Sequence, residues 1–159
     1  KGITEIGNNN LLMAYTHIAH DCSVGDSNIF ANNAGIAGHV SVGSNVVIGG
    51  YAAVHQFCIL GDFCFAGMNT SITMDIPAFT KVASNPARVI GLNSIGMARN
   101  GIPEQSIRTI KKAHKLIYRK GLKLDQALKE INNMHSKTND VYLQTYIKSI
   151  KDSKRGILR

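Results

Sequence analysis

The sequence predicts a mainly β chain, a parallel β-helix shaped as a triangular prism, followed by a small C-terminal α-helical domain. Three observations predict it. Apolar residues recur at every sixth position through the first half of the chain, this count stops at Ile76-Pro77, and the charge balance changes sign near residue 97. The organisation that follows is a β-helix over 1–77, a connecting loop over 78–100 and a helical domain over 101–159.

The six-residue count is the strongest of these signals. Read in blocks from Ile6, all twelve first positions are apolar: Ile6, Leu12, Ile18, Val24, Phe30, Ile36, Val42, Ile48, Val54, Leu60, Ala66 and Ile72. For a composition that is 44% hydrophobic the chance of this is ~5 × 10⁻⁵. The second position is Gly or Ala in nine of the twelve blocks, and the fifth is mostly small or β-branched (Thr16, Cys22, Ala34, Val40, Val46, Ala52, Cys58, Thr70). Short parallel strands joined by sharp corners, three to a lap, account for such a period. The first-position side chains point inward, and the small residues after them let the chain bend without crowding. Twelve blocks make four coils, a stack of roughly 20 Å at about 4.8 Å per coil. Spacing alone does not set the handedness. A β-sandwich of short strands is the competing architecture, but sandwiches do not hold a strict count of six. A rod this thin exposes flat walls, and the expected remedy is packing against copies of itself, most simply as a closed trimer. Its first coil is also bare and the chain opens on Lys1, so further coils are expected upstream.

Beyond Pro77 the reading changes. Residues 78–100 are punctuated by Pro86, Gly91 and Gly96. Pro103-Glu104 then open a helix whose apolar stripe is Ile107, Ile110, Ala113 and Ile117, with Gly121 as its stop. Asp125 is the expected cap of a second helix carrying Leu128 and Ile131. Asp140 is that of a third, with Leu143, Tyr146, Ile147 and Ile150 facing inward. Residues 97–159 carry 15 Lys and Arg against 5 acidic residues, whereas residues 1–96 carry 3 against 5. A basic tail suits nucleic acid, an anionic membrane surface or an acidic protein, and composition does not choose among them. No run approaches the roughly 20 apolar residues of a membrane span, and no signal peptide opens the chain.

Residues 18 apart stack on neighbouring coils, and this lattice gathers the polar groups. One column reads His20, Gly38, Gln56, Met74; a second reads Asp21, His39, Phe57; a third reads Ala19, Ala37, His55, Thr73. Four of the six histidines, His17, His20, His39 and His55, fall in this patch. A ladder of solvated corner residues accounts for the spacing. So does an acid–base site, in which neutral His20 takes and returns a proton near pH 7 and Asp21 orients and stabilises the imidazole. Gly38, one coil above His20, offers an N–H with no side chain over it, which suits a developing oxyanion. No Ser or Cys nucleophile stands beside a histidine, which favours direct attack by an acceptor over a covalent intermediate. Zinc held by His20, His39 and His55 is the metal alternative. These three occupy different columns and no ligand spacing supports them, so no metal is expected. Cys22 and Cys58 lie two coils apart, about 10 Å, too far for a disulfide.

At these residues the chain resembles a known family. Thr16-His17-Ile18-Ala19-His20-Asp21-Cys22, Ala31-Asn32-Asn33-Ala34, Ala37-Gly38-His39-Val40 and Ala53-Val54-His55-Gln56-Phe57-Cys58 are similar to the UDP-N-acetylglucosamine O-acyltransferases of bacterial lipid A synthesis. The likeness runs on through Gly91-Leu92-Asn93, Arg99, His114-Lys115-Leu116-Ile117-Tyr118-Arg119 and Arg155-Gly156. The resemblance implies a homotrimeric left-handed β-helix with active sites between subunits, in the bacterial cytoplasm. It implies transfer of an (R)-3-hydroxyacyl chain from acyl carrier protein to the 3-hydroxyl of UDP-N-acetylglucosamine. No cofactor is implied, the donor being carried on the phosphopantetheine of acyl carrier protein. His20 matches the general base, Asp21 its assistant and Gly38 the oxyanion-holding amide. His17, His39, His55 and Gln56 match positions around the substrate, and Asn93 and Arg99 match nucleotide-side contacts. The basic tail then suits the acidic carrier protein rather than nucleic acid. Two departures matter: Ile95 stands where an acidic residue is common, and Met68 stands where small residues let long acyl chains pass. Met68 lies directly above Gly50 in the 18-residue lattice, which predicts a preference for shorter chains of decanoyl or dodecanoyl type. A related hexapeptide N-acyltransferase of the same pathway, acting on a sugar amine, and a non-catalytic trimeric binding module are the alternatives.

Overall fold

A computed structural model describes residues 2–159. Twelve two-residue strands recur at six-residue intervals: β1 (Glu5–Ile6), β2 (Leu11–Leu12), β3 (His17–Ile18), β4 (Ser23–Val24), β5 (Ile29–Phe30), β6 (Gly35–Ile36), β7 (Ser41–Val42), β8 (Val47–Ile48), β9 (Ala53–Val54), β10 (Ile59–Leu60), β11 (Phe65–Ala66) and β12 (Ser71–Ile72). They stack in parallel into three walls: β1-β4-β7-β10 forms the first, β2-β5-β8-β11 lies in the second, and β3-β6-β9-β12 forms the third. The register steps by one lap, as in Ile18↔Ile36↔Val54. Each coil therefore hydrogen-bonds to the next, and the column reading of the sequence describes real neighbours.

First-position side chains from Val24 to Ile72 are buried, with Phe30 and Ile48 fully enclosed. Removing each large one from water contributes about 1.5–3 kcal/mol. Ile6 and Leu12 depart from the expectation, at 46% and 41% exposure, because they belong to the first coil described and have a neighbouring coil on one side only. Fifth-position residues complete the core; among them Asn28 is wholly buried, receiving the Val46 N–H on its side-chain oxygen at 2.7 Å while its own N–H donates to Asn10 Oδ1 at 2.8 Å.

The corners correct one expectation. The bend is made at the fourth position in eleven of the twelve blocks, not at the small second one. Asn9, Tyr15, Asp21, Ser27, Asn33, His39, Asn45, Tyr51, Phe57, Phe63 and Asn69 all take left-handed φ values near +60°. That conformation costs a non-glycine residue about 1–2 kcal/mol. From Ser27 to Asn69 an inter-coil hydrogen bond from the same residue offsets it, as from His39 N to His20 O at 3.0 Å and from Asn45 N to Asp26 O at 2.9 Å. The second-position glycines serve the stacking instead. A Cβ on Gly25 would lie 2.7 Å from Gly43 O, and one on Gly43 would lie 2.8 Å from Asp62 N.

Residues 78–100, expected as a loop, hold two strands and a short helix. β13 (Thr80–Ala83) pairs in parallel with β11 and antiparallel with β14 (Arg88–Leu92), extending the second wall, and α1 (Ser94–Arg99) follows. The open backbone groups of β11 need partners, and the alternation of buried Thr80 and Val82 with half-exposed Lys81 and Ala83 supplies a strand that a count of six does not detect.

The remaining helices are α2 (Glu104–Tyr118), α3 (Leu124–Thr138) and α4 (Val141–Lys151). Ile110, Ala113, Ile117, Ile131, Leu143 and Tyr146 form a second core with Phe79 and Met97; Ile107 is half-buried at its edge. Asp140 caps α4 through the N–H groups of Tyr142 and Leu143. Asp125 does not cap α3. The helix starts at Leu124, two residues earlier than an Asp125 cap requires, the Lys123 N–H is taken by Gln126 Oε1 at 3.2 Å, and Asp125 sits in the first turn, where its charge favours the helix N-terminus. The chain end then returns to the prism. Asp75, 1% exposed, receives the N–H groups of Ile59, Lys154 and Arg155 and the Ser153 hydroxyl at 2.7–3.0 Å. No helix among the described residues is long and apolar enough to cross a membrane.

Candidate active site

The corner between the third and first walls carries the polar cluster. Positions three and four of successive blocks turn outward there, which presents His20 with Asp21, Gly38 with His39, and Gln56 with Phe57 on neighbouring coils. His20 Nδ1 lies 2.9 Å from Asp21 Oδ2, and the Gly2 N–H donates to the other carboxylate oxygen. The His20 hydrogen bond, reinforced by that of Gly2, holds the Asp21 carboxyl well below the usual carboxylate range. An ionised Asp21 accepts a hydrogen bond from Nδ1–H, which leaves the His20 lone pair on Nε2, the tautomer a general base requires.

Nε2 lies over Gly38. A Cβ built on Gly38 would stand 2.7 Å from His20 Nε2 and 2.6 Å from Cε1, so any other residue at 38 would collide with the ring. The Gly38 N–H makes no hydrogen bond to a described residue, while its carbonyl accepts from Phe57 N at 3.2 Å. Among the described residues neither the Gly38 N–H nor His20 Nε2 has a hydrogen-bond partner, and the two share one small region. His39 borders it, edge-on to His20 with centroids 5.1 Å apart and stacked on Phe57 at 4.8 Å. His55 Nδ1 approaches Gln56 O at 3.1 Å, and both side chains are exposed. His17 stands next to the corner, on the outer face of the third wall. A groove of about 340 Å³ leaves the cluster along the first wall, lined by Asp21, Ser23, His39, Ser41, Phe57, Ile59 and Lys154. Nothing in the sequence pattern marks Lys154 as a residue of this groove. It lies far along the chain from Asp21, and only the Asp75 clamp brings its backbone here.

The other candidate residues lie elsewhere on the prism. Gly50 and Met68 occupy adjacent coils at the corner between the second and third walls; Asn69 N donates to Gly50 O at 2.9 Å, and the Met68 side chain is 69% exposed. Asn93 caps α1, accepting from Gly96 N at 3.2 Å and donating to Phe63 O at 2.9 Å, so it has a structural role besides any contact with a ligand. With Ile95 and Arg99 it lines a cleft of about 620 Å³ over Ile29, Val47, Phe65 and Lys81 of the second wall. That wall is opposite the histidine corner, so one chain does not bring the two groups together.

The thiols of Cys22, Cys58 and Cys64 are all buried. Cys58 is pushed up to about 11 and Cys64 further still, in both cases by burial.

Residues 75–158 match the family described as UDP-N-acetylglucosamine O-acyltransferase, domain 2, and residues 3–38 match the bacterial transferase hexapeptide repeats. The acyl-[acyl-carrier-protein]–UDP-N-acetylglucosamine O-acyltransferase of Alkalilimnicola ehrlichii is 41% identical over 99% of this chain and 60% of its own length. Among solved structures, the UDP-N-acetylglucosamine O-acyltransferase of Moraxella catarrhalis superposes with a TM-score of 0.94 at 46% identity, covering 99% of this chain and 61% of that one. That of Acinetobacter baumannii superposes at 0.93 with 44% identity, covering 98% and 60%. The chain therefore spans about 60% of the length of the relatives it matches. By the family match over residues 75–158 and its identity to these relatives across nearly its whole length, it belongs to the UDP-N-acetylglucosamine O-acyltransferase family.

Proposed function

We propose that this chain provides the catalytic corner of an enzyme that moves a 3-hydroxyacyl group from acyl carrier protein to the 3-hydroxyl of UDP-N-acetylglucosamine. The observation that carries the proposal is His20, oriented by ionised Asp21 and packed directly over Gly38, whose N–H is bonded to no described residue. The acceptor hydroxyl attacks the thioester carbonyl as His20 Nε2 takes its proton. The Gly38 N–H receives the charge that develops on the carbonyl oxygen, and the imidazolium returns the proton to the departing thiol. Asp21 keeps Nδ1 protonated and stabilises the transient cation. No resident cofactor enters these steps, because the activated acyl group arrives on its carrier.

The division of candidate residues between opposite sides of the prism supports a homotrimer. Copies around a threefold axis set the histidine corner of one chain against the second wall of the next, so Asn93 and Arg99 complete the nucleotide end of a site whose chemistry is supplied across the boundary. Exposed Leu11 and Ile29 on that wall are suited to burial there. The basic helical domain supports acidic acyl carrier protein as the partner, and a site for soluble substrates fits the cytoplasm. Met68, projecting beside Gly50, shortens the acyl path. Replacing His20 with Ala tests the reading: acyl transfer falls roughly 10²–10⁴-fold while UDP-N-acetylglucosamine still binds. Undiminished turnover by the variant removes His20 as the base.

A further inference from the structure

The catalytic corner also has the composition and spacing of a transition-metal site. Ligating atoms of His20, Asp21 and His39 all lie within 4.8 Å of one another. Zinc with bonds of about 2.0–2.2 Å holds its ligand atoms roughly 3.4 Å apart, so closure needs side-chain rotations and no change of backbone. The backbone is already fixed: Asp21 and His39 are left-handed corner residues one coil apart, tied by the hydrogen bond from His39 N to His20 O. The His20 side chain is 72% exposed and therefore has room to turn, whereas the His39 ring is kept close by its stacking on Phe57. Two imidazoles and one carboxylate suit zinc, and they suit magnesium or calcium poorly, since those ions prefer shells of oxygen. This triad differs from the one considered in the sequence, because His55 faces Gln56 instead and Asp21 takes its place.

We propose that His20, Asp21 and His39 form an inhibitory Zn²⁺ site. A neutral imidazole has a single ring lone pair. Whichever nitrogen of His20 binds the ion, none remains to accept the acceptor's proton, so zinc and general-base catalysis exclude each other. The inhibition rests on the acyl-transfer reading, but the binding does not.

Calorimetric titration of the protein with ZnCl₂, in the absence of substrates, tests the site. One ion per chain is expected, reversed by EDTA, with no heat from MgCl₂. His39→Asn, which retains a residue tolerant of left-handed φ, weakens binding by roughly 100-fold or more, since loss of an outer partner alone costs 10–100-fold. His135→Gln, on the distant helix α3, leaves it unchanged. Circular dichroism of each variant verifies folding. Substoichiometric binding, or binding that survives His39→Asn, overturns the proposal. Stoichiometric binding that leaves acyl transfer intact preserves the site and refutes its inhibitory role. A protein that binds zinc but has no acyl transfer without it would instead overturn the catalytic reading.

Discussion

Gly38→Ala isolates the relation between the proposed base, His20, and the amide beneath it. The alanine methyl would arrive 2.6 Å from His20 Cε1 and 2.7 Å from Nε2. Ordinary carbon contacts are about 3.5–4.0 Å, so the imidazole must retreat by about 1 Å. The ring has space to do so, being 72% exposed, and Gly38 does not occupy the left-handed region, so alanine fits the backbone. The cost therefore falls on catalysis and not on folding. A misplacement of about 1 Å costs about 100-fold in rate, near 2.7 kcal/mol of barrier. Initial rates of acyl transfer from a 3-hydroxyacyl carrier protein to UDP-N-acetylglucosamine measure it, with thermal unfolding alongside. The expected result is a loss of about 100-fold with stability changed by less than about 0.5 kcal/mol. In a His20→Ala background the same substitution should cost almost nothing, because the ring it displaces is gone. A loss of less than threefold in the wild-type background, or an equally large loss in both backgrounds, refutes the argument.

Other consequences can be tested separately. Burial lowers His114 to about 4, and its ring lies 3.4 Å from the Tyr146 hydroxyl. An unfolded histidine binds its proton near pH 6.5, so the neutral buried form contributes stability above that pH. The contribution is lost as the pH falls from about 6.5 to 4, by up to about 3 kcal/mol. His114→Phe should flatten that part of a denaturation-versus-pH curve, and an unchanged slope would contradict it. Asp75→Asn replaces one charged acceptor among four donors and should lower stability by about 2–4 kcal/mol in urea titrations; it should also expose residues 153–158 to proteolysis. Met68→Gly should move acyl preference toward longer chains in a comparison of carrier-protein thioesters, and an unaltered profile would remove Met68 from the acyl path.

Much of this molecule is determined by periodicity. An apolar residue at every sixth position forces three short strands per lap, because only then do all those side chains reach one interior. The columns follow from that geometry, so His20, Asp21, Gly38 and His39 can be placed together from the sequence alone. Helix α4 and its Asp140 cap are equally local. The tertiary structure decided what depends on contacts distant in sequence. Left-handed corners at Tyr51 or Phe57 are unfavourable locally and exist because the neighbouring coil supplies a hydrogen-bond acceptor. The strands in residues 78–100 form because β11 presents an open edge, and Lys154 reaches the groove beside the histidine corner because Asp75 gathers three N–H groups and a hydroxyl from segments distant in sequence. A repeat fixes neighbours at a constant separation; where the repeat ends, unsatisfied backbone groups and buried charge select the partners.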